Sequence, residues 1–444
     1  MDQNNIKQIA VLLILFIVSW FISAPSYSNK AEVSPEIETG RKVFENIRPH
    51  LNFSENPLIK ESIERLGKRI LKNLPTDKFE FQFFPIQSNE MNAFALPNGY
   101  IIITDRLIEN ITSEEELAFV LAHETAHILR HHFMNFVKRK SSLDLATVAT
   151  MIVGIMASKD GDLQEGIPAI ALGLNQNFSL KYSREQEFEA DHYGMRYLLQ
   201  AGYDGQGGIE FMKKLQRLER LFISIPAYLS THPLTHERIT NLEGLIEGKK
   251  SAEKGTTINI ERLKIWCMLE SESADTMQGD LLSKYQADKS NVNLIYALAR
   301  TYEKRGNASK AEKFYKEGLE ISPHDIDILR DYGIFLFRWG RLKEAQPQFQ
   351  SALELAHDDF LSLHYLGRCF MDLNRDDEAI ERLEKSVQNN PEFADNYNFL
   401  GILYKKKNLE QKSHQNFKKY FSLIGNKFSA QFHDNKINGK NVGK

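Results

Sequence analysis

The stretch Leu121-Ala122-His123-Glu124-Thr125-Ala126-His127-Ile128-Leu129 decides the fold of the first half of this chain. It lies inside a run from Leu117 to Phe136 that holds neither proline nor glycine, so nothing in the run interrupts a helix. Two alternative capping boxes stand just upstream, Thr112 with Glu115 and Ser113 with Glu116. The sequence therefore predicts a helix that carries the quoted stretch near its middle.

The two histidines of this stretch have the spacing of metal ligands. Residues four apart lie on one face of a helix, so His123 and His127 can bind the same ion. Zinc lowers the pKa of a bound water to about 7, and Glu124, one step around the helix, can take its proton. The pattern also arises by chance in helices, but the apolar residues before it favour a buried, dry site. We expect one zinc ion per chain and peptide hydrolysis as the chemistry.

A third ligand is expected in the segment Ser183-Arg184-Glu185-Gln186-Glu187-Phe188-Glu189-Ala190-Asp191. Ser183 and Gln186 form a capping box, which predicts a helix that runs to about Ala201 and ends at Gly202. Glu187 and Asp191 share a face of that helix, so one can bind zinc while the other bonds a ligand histidine. A solvated acidic face is the alternative.

Further histidines offer weaker candidates. His232, in Thr231-His232-Pro233-Leu234-Thr235-His236-Glu237-Arg238, could be a fourth ligand or could stabilise the oxyanion of a tetrahedral intermediate. A histidine at a helix start with no metal role is the alternative. His131 and His132 follow the motif by one turn; His131, four residues after His127, could extend the row of histidines, but a surface or core role is expected.

Bulk properties exclude several classes of protein. The chain has 444 residues, too many for one ordinary domain, and 42% of them are hydrophobic. A net charge of −3 gives no reason to expect nucleic-acid binding. Cys267 and Cys369 are the two cysteines, so the chain is not a disulfide scaffold. Buried free thiols are expected, with a single bridge as the alternative.

The first 28 residues are typical of a secretory signal. Lys7 precedes the apolar run Ile9 to Ile22, and Ser26-Tyr27-Ser28 offers small residues before a cleavage site at Asn29. An uncleaved anchor is the alternative, although the run of 14 residues is short of the ~20 that span a bilayer. Two later apolar stretches, Leu145 to Ala157 and Ile167 to Leu174, are expected to be buried helices, or else a lid or a membrane-touching element.

The fold class predicted is mostly α with a small β-sheet. A helix is expected over Leu58 to Leu74, and strands over Phe79 to Phe84 and Tyr100 to Thr104, with a turn at Pro97-Asn98-Gly99 between them. An edge strand beside the zinc helix would let an extended substrate pair with it through backbone hydrogen bonds. Ordinary sheet packing is the alternative.

A repeat of 34 residues fills the second half, with starts at Val292, Ile326, Phe360 and Ala394. The eighth position of each unit is small: Ala299, Gly333, Gly367 and Gly401. Position 24 is large: Tyr315, Phe349, Leu383 and Phe417. This pattern matches the tetratricopeptide repeat, whose helix pairs stack into a curved array with a concave groove for a peptide or protein.

Five segments follow from these features: a signal peptide over 1–28, a zinc metallopeptidase domain over 29–247, a linker and degenerate helical repeat over 248–291, four repeats over 292–427, and a disordered tail over 428–444. The linker is charged and contains glycine, and the tail is polar.

HETAH, SREQEFEAD and THPLTHER, preceded by NAFALPNG, resemble the HtpX-type and CAAX-protease-like zinc metallopeptidases. That resemblance implies that His123, His127 and Glu187 bind zinc, that Glu124 is the catalytic base, and that Asp191 supports a ligand. It implies that His232 can occupy the open zinc position and hold the enzyme latent.

The signal and repeats narrow the resemblance to periplasmic members of that family, which implies quality control of outer-membrane proteins. Misfolded or stalled proteins would be degraded and productive ones assisted, with the repeats recruiting clients or the beta-barrel assembly machinery. Peripheral contact with a membrane is also compatible with this arrangement. The rival is a chaperone or assembly adaptor whose zinc site is latent or structural; the base Glu124 argues against it, because a structural site needs only ligands.

Overall fold

The computed structural model describes residues 34–76, 78–139, 144–156, 181–221, 227–248 and 258–439. The helices of the first half are α1 (Pro35–Ile47), α2 (Pro57–Leu71), α3 (Asp105–Glu109), α4 (Glu114–Leu129), α5 (His132–Arg139), α6 (Leu145–Met156), α7 (Arg184–Gln200), α8 (Gln206–Leu221), α9 (Ala227–Thr231) and α10 (His236–Ile246). Its strands are β1 (Gln82–Ile86), β2 (Ala93–Ala95) and β3 (Tyr100–Thr104).

The three strands form one sheet in the order β1-β3-β2. β1 and β3 are parallel, whereas β2 is antiparallel to β3 and forms an edge of the sheet. The turn before β3 requires Gly99, whose φ of +98° is costly for a residue with a Cβ. Only two of the three strands were predicted from sequence, because β2 has three residues, too few to establish an alternating pattern.

The long helices α4 and α7 pack against each other at the centre of the first half. Gly194 of α7 faces the backbone of His123 of α4, where a Cβ would lie 3.0 Å from Cα of that histidine. The absence of a side chain at Gly194 therefore lets the two helices approach closely.

A second apolar layer covers the other side of the sheet. α1 and α6 contribute buried residues to it, among them Val43, Ile47 and Ile152. The first of the two apolar stretches is thus a buried helix, as one of the two sequence readings has it. The second stretch and the predicted signal lie outside the described residues. In the described part of the chain, no helix combines the length and hydropathy needed to cross a membrane.

The second half is a stack of helix pairs. Its helices are α11 (Ile260–Ser271), α12 (Ala274–Ala287), α13 (Val292–Lys304), α14 (Ala308–Ile321), α15 (Ile326–Arg338), α16 (Leu342–Leu355), α17 (Phe360–Asp372), α18 (Asp376–Asn389), α19 (Ala394–Lys406), α20 (Glu410–Leu423) and α21 (Lys427–Ile437). Within a repeat, the small eighth residue receives the large residue at position 24: a Cβ on Gly333 would lie 2.7 Å from the ring of Phe349. This contact explains the periodic alternation in the sequence.

The two halves share one hydrophobic core. Leu263, Trp266 and Cys267 of α11 are buried in the same cluster that contains helices of the first half and the repeats. Polar contacts reinforce the junction, since the amide of Asn56 donates to Oε1 of Glu270 at 2.6 Å. Both cysteines are buried and free, which confirms the favoured expectation.

The tail was predicted to be disordered from residue 428, and this is wrong for most of its length, because α21 extends to Ile437. His433 on α21 stacks on Phe421 of α20 at a centroid distance of 5.5 Å, and Nζ of Lys418 lies 2.6 Å from Asp434. The polar composition of this segment gave no sign of these contacts, because they form only when α21 folds back onto α20.

Candidate metal centre

The helix that carries the paired histidines has a firmly capped start. Ser113 is its N-cap and accepts a hydrogen bond from the amide of Glu116 at 3.2 Å. The Glu116 carboxylate reaches back to the amide of Thr112 at 2.8 Å and also binds the ammonium of Lys214. The second of the two proposed capping pairs is therefore the one used, with the return bond shifted by one residue.

The second helix of the site begins with the predicted capping box. The Ser183 hydroxyl accepts from the Gln186 amide, and the Gln186 side chain accepts from the Ser183 amide, which confirms the predicted start. The helix ends at Gln200, two residues before Gly202, whose φ is +78°. Glu187 lies in the first turn and Asp191 one turn later, both buried.

His232 follows the short helix α9 and completes the cluster. Its amide donates to the Tyr228 carbonyl at 2.8 Å, which continues the helical turn. Tyr228 stacks on the His232 imidazole with ring centroids 4.6 Å apart. The ring is fully buried, and the stacked ring of Tyr228 limits its orientation.

Four side chains converge so closely that one ion could contact them all. The donor atoms of His123, His127, Glu187 and His232 lie within 4.8 Å of one another. Nε2 of His123 is 3.0 Å from Nε2 of His127 and 3.3 Å from Nδ1 of His232. That Nδ1 is 3.1 Å from Oε1 of Glu187, which is 3.6 Å from Nε2 of His127.

These separations suit a zinc ion. Ligands about 2.0–2.1 Å from a tetrahedral zinc lie about 3.3 Å from one another, close to the observed spacings. Nitrogen and carboxylate oxygen are donors that zinc accepts. Burial and the neighbouring His123 lower the pKa of His127 well below its ordinary value, so its imidazole is neutral, as a metal ligand must be. The residues present therefore fit a zinc ion.

A buried arginine holds the acidic part of the cluster. Arg238 binds Asp191 with two nitrogens at 2.6 and 2.8 Å, and its Nη1 lies 2.6 Å from Oε2 of Glu187. Burial opposes ionisation of both carboxylates, but the pKa of each is lowered overall, by Arg238 together with His232 and His123 for Glu187, and by Arg238 together with His123 for Asp191. Asp191 in turn lies 3.1 Å from Nδ1 of His123, so Arg238, Asp191 and His123 form one chain of polar contacts.

Glu124 stands apart from this network. Its side chain is fully buried, and neither carboxylate oxygen has a hydrogen-bond partner among the described residues. Oε1 lies 3.5 Å from Nε2 of His232, which also has no hydrogen-bond partner in the described chain. Burial raises the pKa of Glu124, partly offset by His232 and His123. A buried carboxyl group without partners is costly, which is typical of a group that meets a substrate or a water.

The other candidate ligand, His127, has support that the sequence did not reveal. Nδ1 of His127 lies 2.9 Å from Nδ1 of His132, whose Nε2 lies 3.1 Å from Glu189. Arg130 binds the same carboxylate, with Nε 2.6 Å from Oε1. His132 is thus part of the site rather than merely a core residue. His131 is exposed and contacts Glu36 at 2.7 Å, in keeping with a surface role.

The structure brings together all six residues singled out from the sequence: His123, Glu124, His127, Glu187, Asp191 and His232. Sequence reasoning missed the site residues His132, Tyr182, Glu189, Tyr228 and Arg238. Arg238 and Glu189 carried a signal, since Arg238 stands in the quoted segment of His232 and Glu189 in that of Glu187. The aromatic rings left no signal in the sequence, because Tyr182 reaches His127 only through the tertiary fold. The centroids of these two rings lie 4.0 Å apart.

Comparison with known proteins gives two family matches. Residues 54–246 match peptidase family M48, and residues 295–424 match the middle TPR-like domain of cilia and flagella-associated protein 70. The first match contains the whole candidate metal centre, and the second lies within the helical repeats.

Three relatives illustrate the similarity. The beta-barrel assembly-enhancing protease of Escherichia coli K12 is 23% identical over 405 residues, which is 85% of this chain and 81% of that protein. A Vibrio cholerae relative is 31% identical over 202 residues, 45% of this chain and 41% of that protein. The mitochondrial metalloendopeptidase OMA1 of Schizosaccharomyces pombe is 29% identical over 182 residues, 41% of this chain and 51% of that protein.

The chain thus spans most of the E. coli relative but about half or less of the other two. The matches and the structure agree on the architecture: a domain with a small sheet that matches peptidase family M48, followed by a helical domain that matches a TPR-like domain.

Proposed function

We propose that this protein, with its M48 metallopeptidase domain, is an exported zinc metalloendopeptidase that degrades misfolded or stalled outer-membrane proteins and assists the assembly of others. The repeats recruit clients or the assembly machinery. The observation that carries the catalytic part is the Glu124 carboxylate, fully buried and unpartnered beside a cluster of four candidate ligands.

In this proposal His123, His127 and Glu187 hold the zinc, and Asp191 orients His123. Bound zinc would supply a Lewis acid that polarises the substrate carbonyl and lowers the pKa of a water molecule. Glu124 takes the proton of the attacking water and passes it to the leaving amine. Its raised pKa supports this role, because a general acid–base group works best when its pKa approaches the working pH.

The substrate backbone has a natural place to bind. β2 pairs only with β3 within the described sheet, so no strand occupies its outer edge, where an extended chain could pair. Ala93, Phe94 and Ala95 of this strand are buried, which implies that a neighbouring segment must move before a substrate pairs there. The periplasmic location rests on the predicted signal, and the client class rests on relatives named beta-barrel assembly-enhancing protease.

The same burial supports a latent resting state. Glu124, Glu187 and His232 are all fully buried, so no substrate reaches them in this conformation. Nδ1 of His232 lies among the ligand atoms while its Nε2 faces Glu124. We propose that His232 occupies the position that a water and a substrate would share, and that its withdrawal starts catalysis. The alternative role for His232 is stabilisation of the oxyanion.

The test compares degradation of casein by wild type, Glu124→Gln and His232→Ala, each with its zinc content measured. A latched protease predicts no cleavage by Glu124→Gln and cleavage by His232→Ala at least as fast as by wild type. Loss of cleavage in His232→Ala with an active wild type would assign His232 to catalysis instead. If zinc-loaded wild type and His232→Ala are both inert, the adaptor alternative gains, in which the repeats carry the function.

A further inference from the structure

The carboxyl-terminal end of the repeat stack combines exposed aromatic side chains with positive charge. Phe428 on α21 is 85% exposed, the highest value among the large hydrophobic residues of the described chain. Phe432, one turn later on the same face, is 37% exposed, and Ile424 just before the helix is 48% exposed. Large apolar side chains grouped in this way mark an interaction surface, whereas scattered ones do not.

The opposite face of α21 is already occupied. His433 stacks on Phe421, and Asp434 pairs with Lys418, so that face packs against α20. The exposed face therefore has no partner within the described part of the chain. α21 is the last described helix of the stack, and the loop before it lies near the first half, since a Cβ on Gly425 would lie 3.9 Å from Nη2 of Arg48.

Charge identifies the partner. Residues 405–436 contain eight lysines and two acidic residues, a local net charge of +6 in a chain whose total is −3. Acidic residues neutralise some of these lysines: Lys406 and Lys407 contact Asp376 and Asp377, and Lys419 contacts Glu392. Four lysines have no acidic partner among the described residues: Lys405, Lys412, Lys427 and Lys436.

Two of these free lysines flank the aromatic residues. Lys427 directly precedes Phe428, and Lys436 lies one turn beyond Phe432 with its ammonium 5.7 Å from that ring. Lysine beside exposed phenylalanine is the side-chain pair that interfacial helices use, the ring entering the headgroup region while the ammonium meets lipid phosphates. An acidic protein surface would suit the lysines but leaves the exposed Phe428 unexplained.

We propose that the outer face of α21, defined by Ile424, Lys427, Phe428, Phe432 and Lys436, docks the repeat domain on an anionic phospholipid surface. The contact is peripheral: two aromatic rings and a few lysines give reversible binding that weakens with salt. It holds the carboxyl-terminal end of the described stack at a membrane.

Hydrogen exchange of residues 427–437 in the full chain gives a readout confined to this helix. Vesicles with phosphatidylglycerol should slow amide exchange there about tenfold, corresponding to ~1.4 kcal/mol, and pure phosphatidylcholine vesicles should not. The variant Phe428→Ser/Lys436→Gln should lose this protection. Leu355→Ser, which removes another exposed apolar residue of the repeats, should retain it.

Three outcomes would overturn the proposal. Equal exchange with and without anionic vesicles means that the face does not contact lipid. Equal protection in wild type and the double variant assigns the protection to another segment. Protection without vesicles that grows with protein concentration identifies a second copy of the chain as the occupant.

Discussion

Gly194→Ala tests whether the close approach of α4 and α7 sets the geometry of the metal centre. A Cβ at residue 194 would lie 3.0 Å from Cα and 3.1 Å from the amide nitrogen of His123. Carbon atoms pack best about 3.5–4.0 Å apart, so the helices must separate by ~0.5 Å. Metal–ligand distances tolerate only about 0.2 Å. Because His123 and Glu187 stand on different helices, the separation should move them apart and weaken zinc binding.

The expected change in the free energy of unfolding of Gly194→Ala has two parts of opposite sign. Forcing a methyl group into a packed contact costs about 1–3 kcal/mol, and replacing a helical glycine by alanine returns ~0.5–1 kcal/mol. Gly244→Ala on α10 isolates the second part, because a Cβ there would meet nothing within 4 Å. The two variants should differ by about 1–3 kcal/mol in the free energy of unfolding, with Gly194→Ala the less stable.

The assay is urea unfolding of both variants without metal, followed by a chelator competition for zinc. Gly194→Ala should bind zinc at least ~10-fold more weakly than wild type, the scale seen when groups that orient ligands are lost. Gly244→Ala should bind zinc as wild type does. Wild-type zinc affinity in a folded Gly194→Ala protein would refute the argument that helix separation limits the site.

Two further predictions concern single polar groups. His132→Ala should lower zinc affinity about 10–100-fold by releasing His127 from its support, and His131→Ala should leave it unchanged, as measured by the same competition. Burial raises the pKa of Asp105 to about 6, partly offset by its bond from the Ser88 amide. The contribution of Asp105 to the stability of the folded state is therefore complete below the unfolded pKa near 4. It is lost as the pH rises through the folded pKa of about 6. From pH 4 to pH 7, wild type should therefore lose up to ~3 kcal/mol relative to Asp105→Asn in urea unfolding; parallel stability profiles would contradict this.

Local patterns predicted the elements that carry the site. The spacing of His123 and His127, and of Glu187 and Asp191, needs only the period of a helix. The capping boxes fixed where those helices begin, because caps act on the nearest turn. The 34-residue repeat could also be predicted from sequence, because the contact between the small eighth residue and the large residue at position 24 recurs in each unit.

The contacts that hold the site together were less visible in the sequence. Arg238 meets Asp191 across 47 residues, and Glu189 meets His132 across 57, so only the tertiary fold pairs them. The helix α21 was missed for the same reason: its stacking on Phe421 is tertiary, while its composition is polar. Sequence thus supplied the ligand types and their spacing, and the fold supplied the groups that orient them.

The core that α11 shares with the first half limits how such a protein can evolve. The amide of Ile258 donates to Oε2 of Glu114, the first residue of the helix that carries both histidines. The segment that leads into the repeat half therefore binds the starting turn of the helix that carries both histidines. Repeats beyond α13 could be gained or lost at the far end without touching this joint. Exchange of the whole repeat half for another would expose the core, so the two parts are expected to have been inherited together.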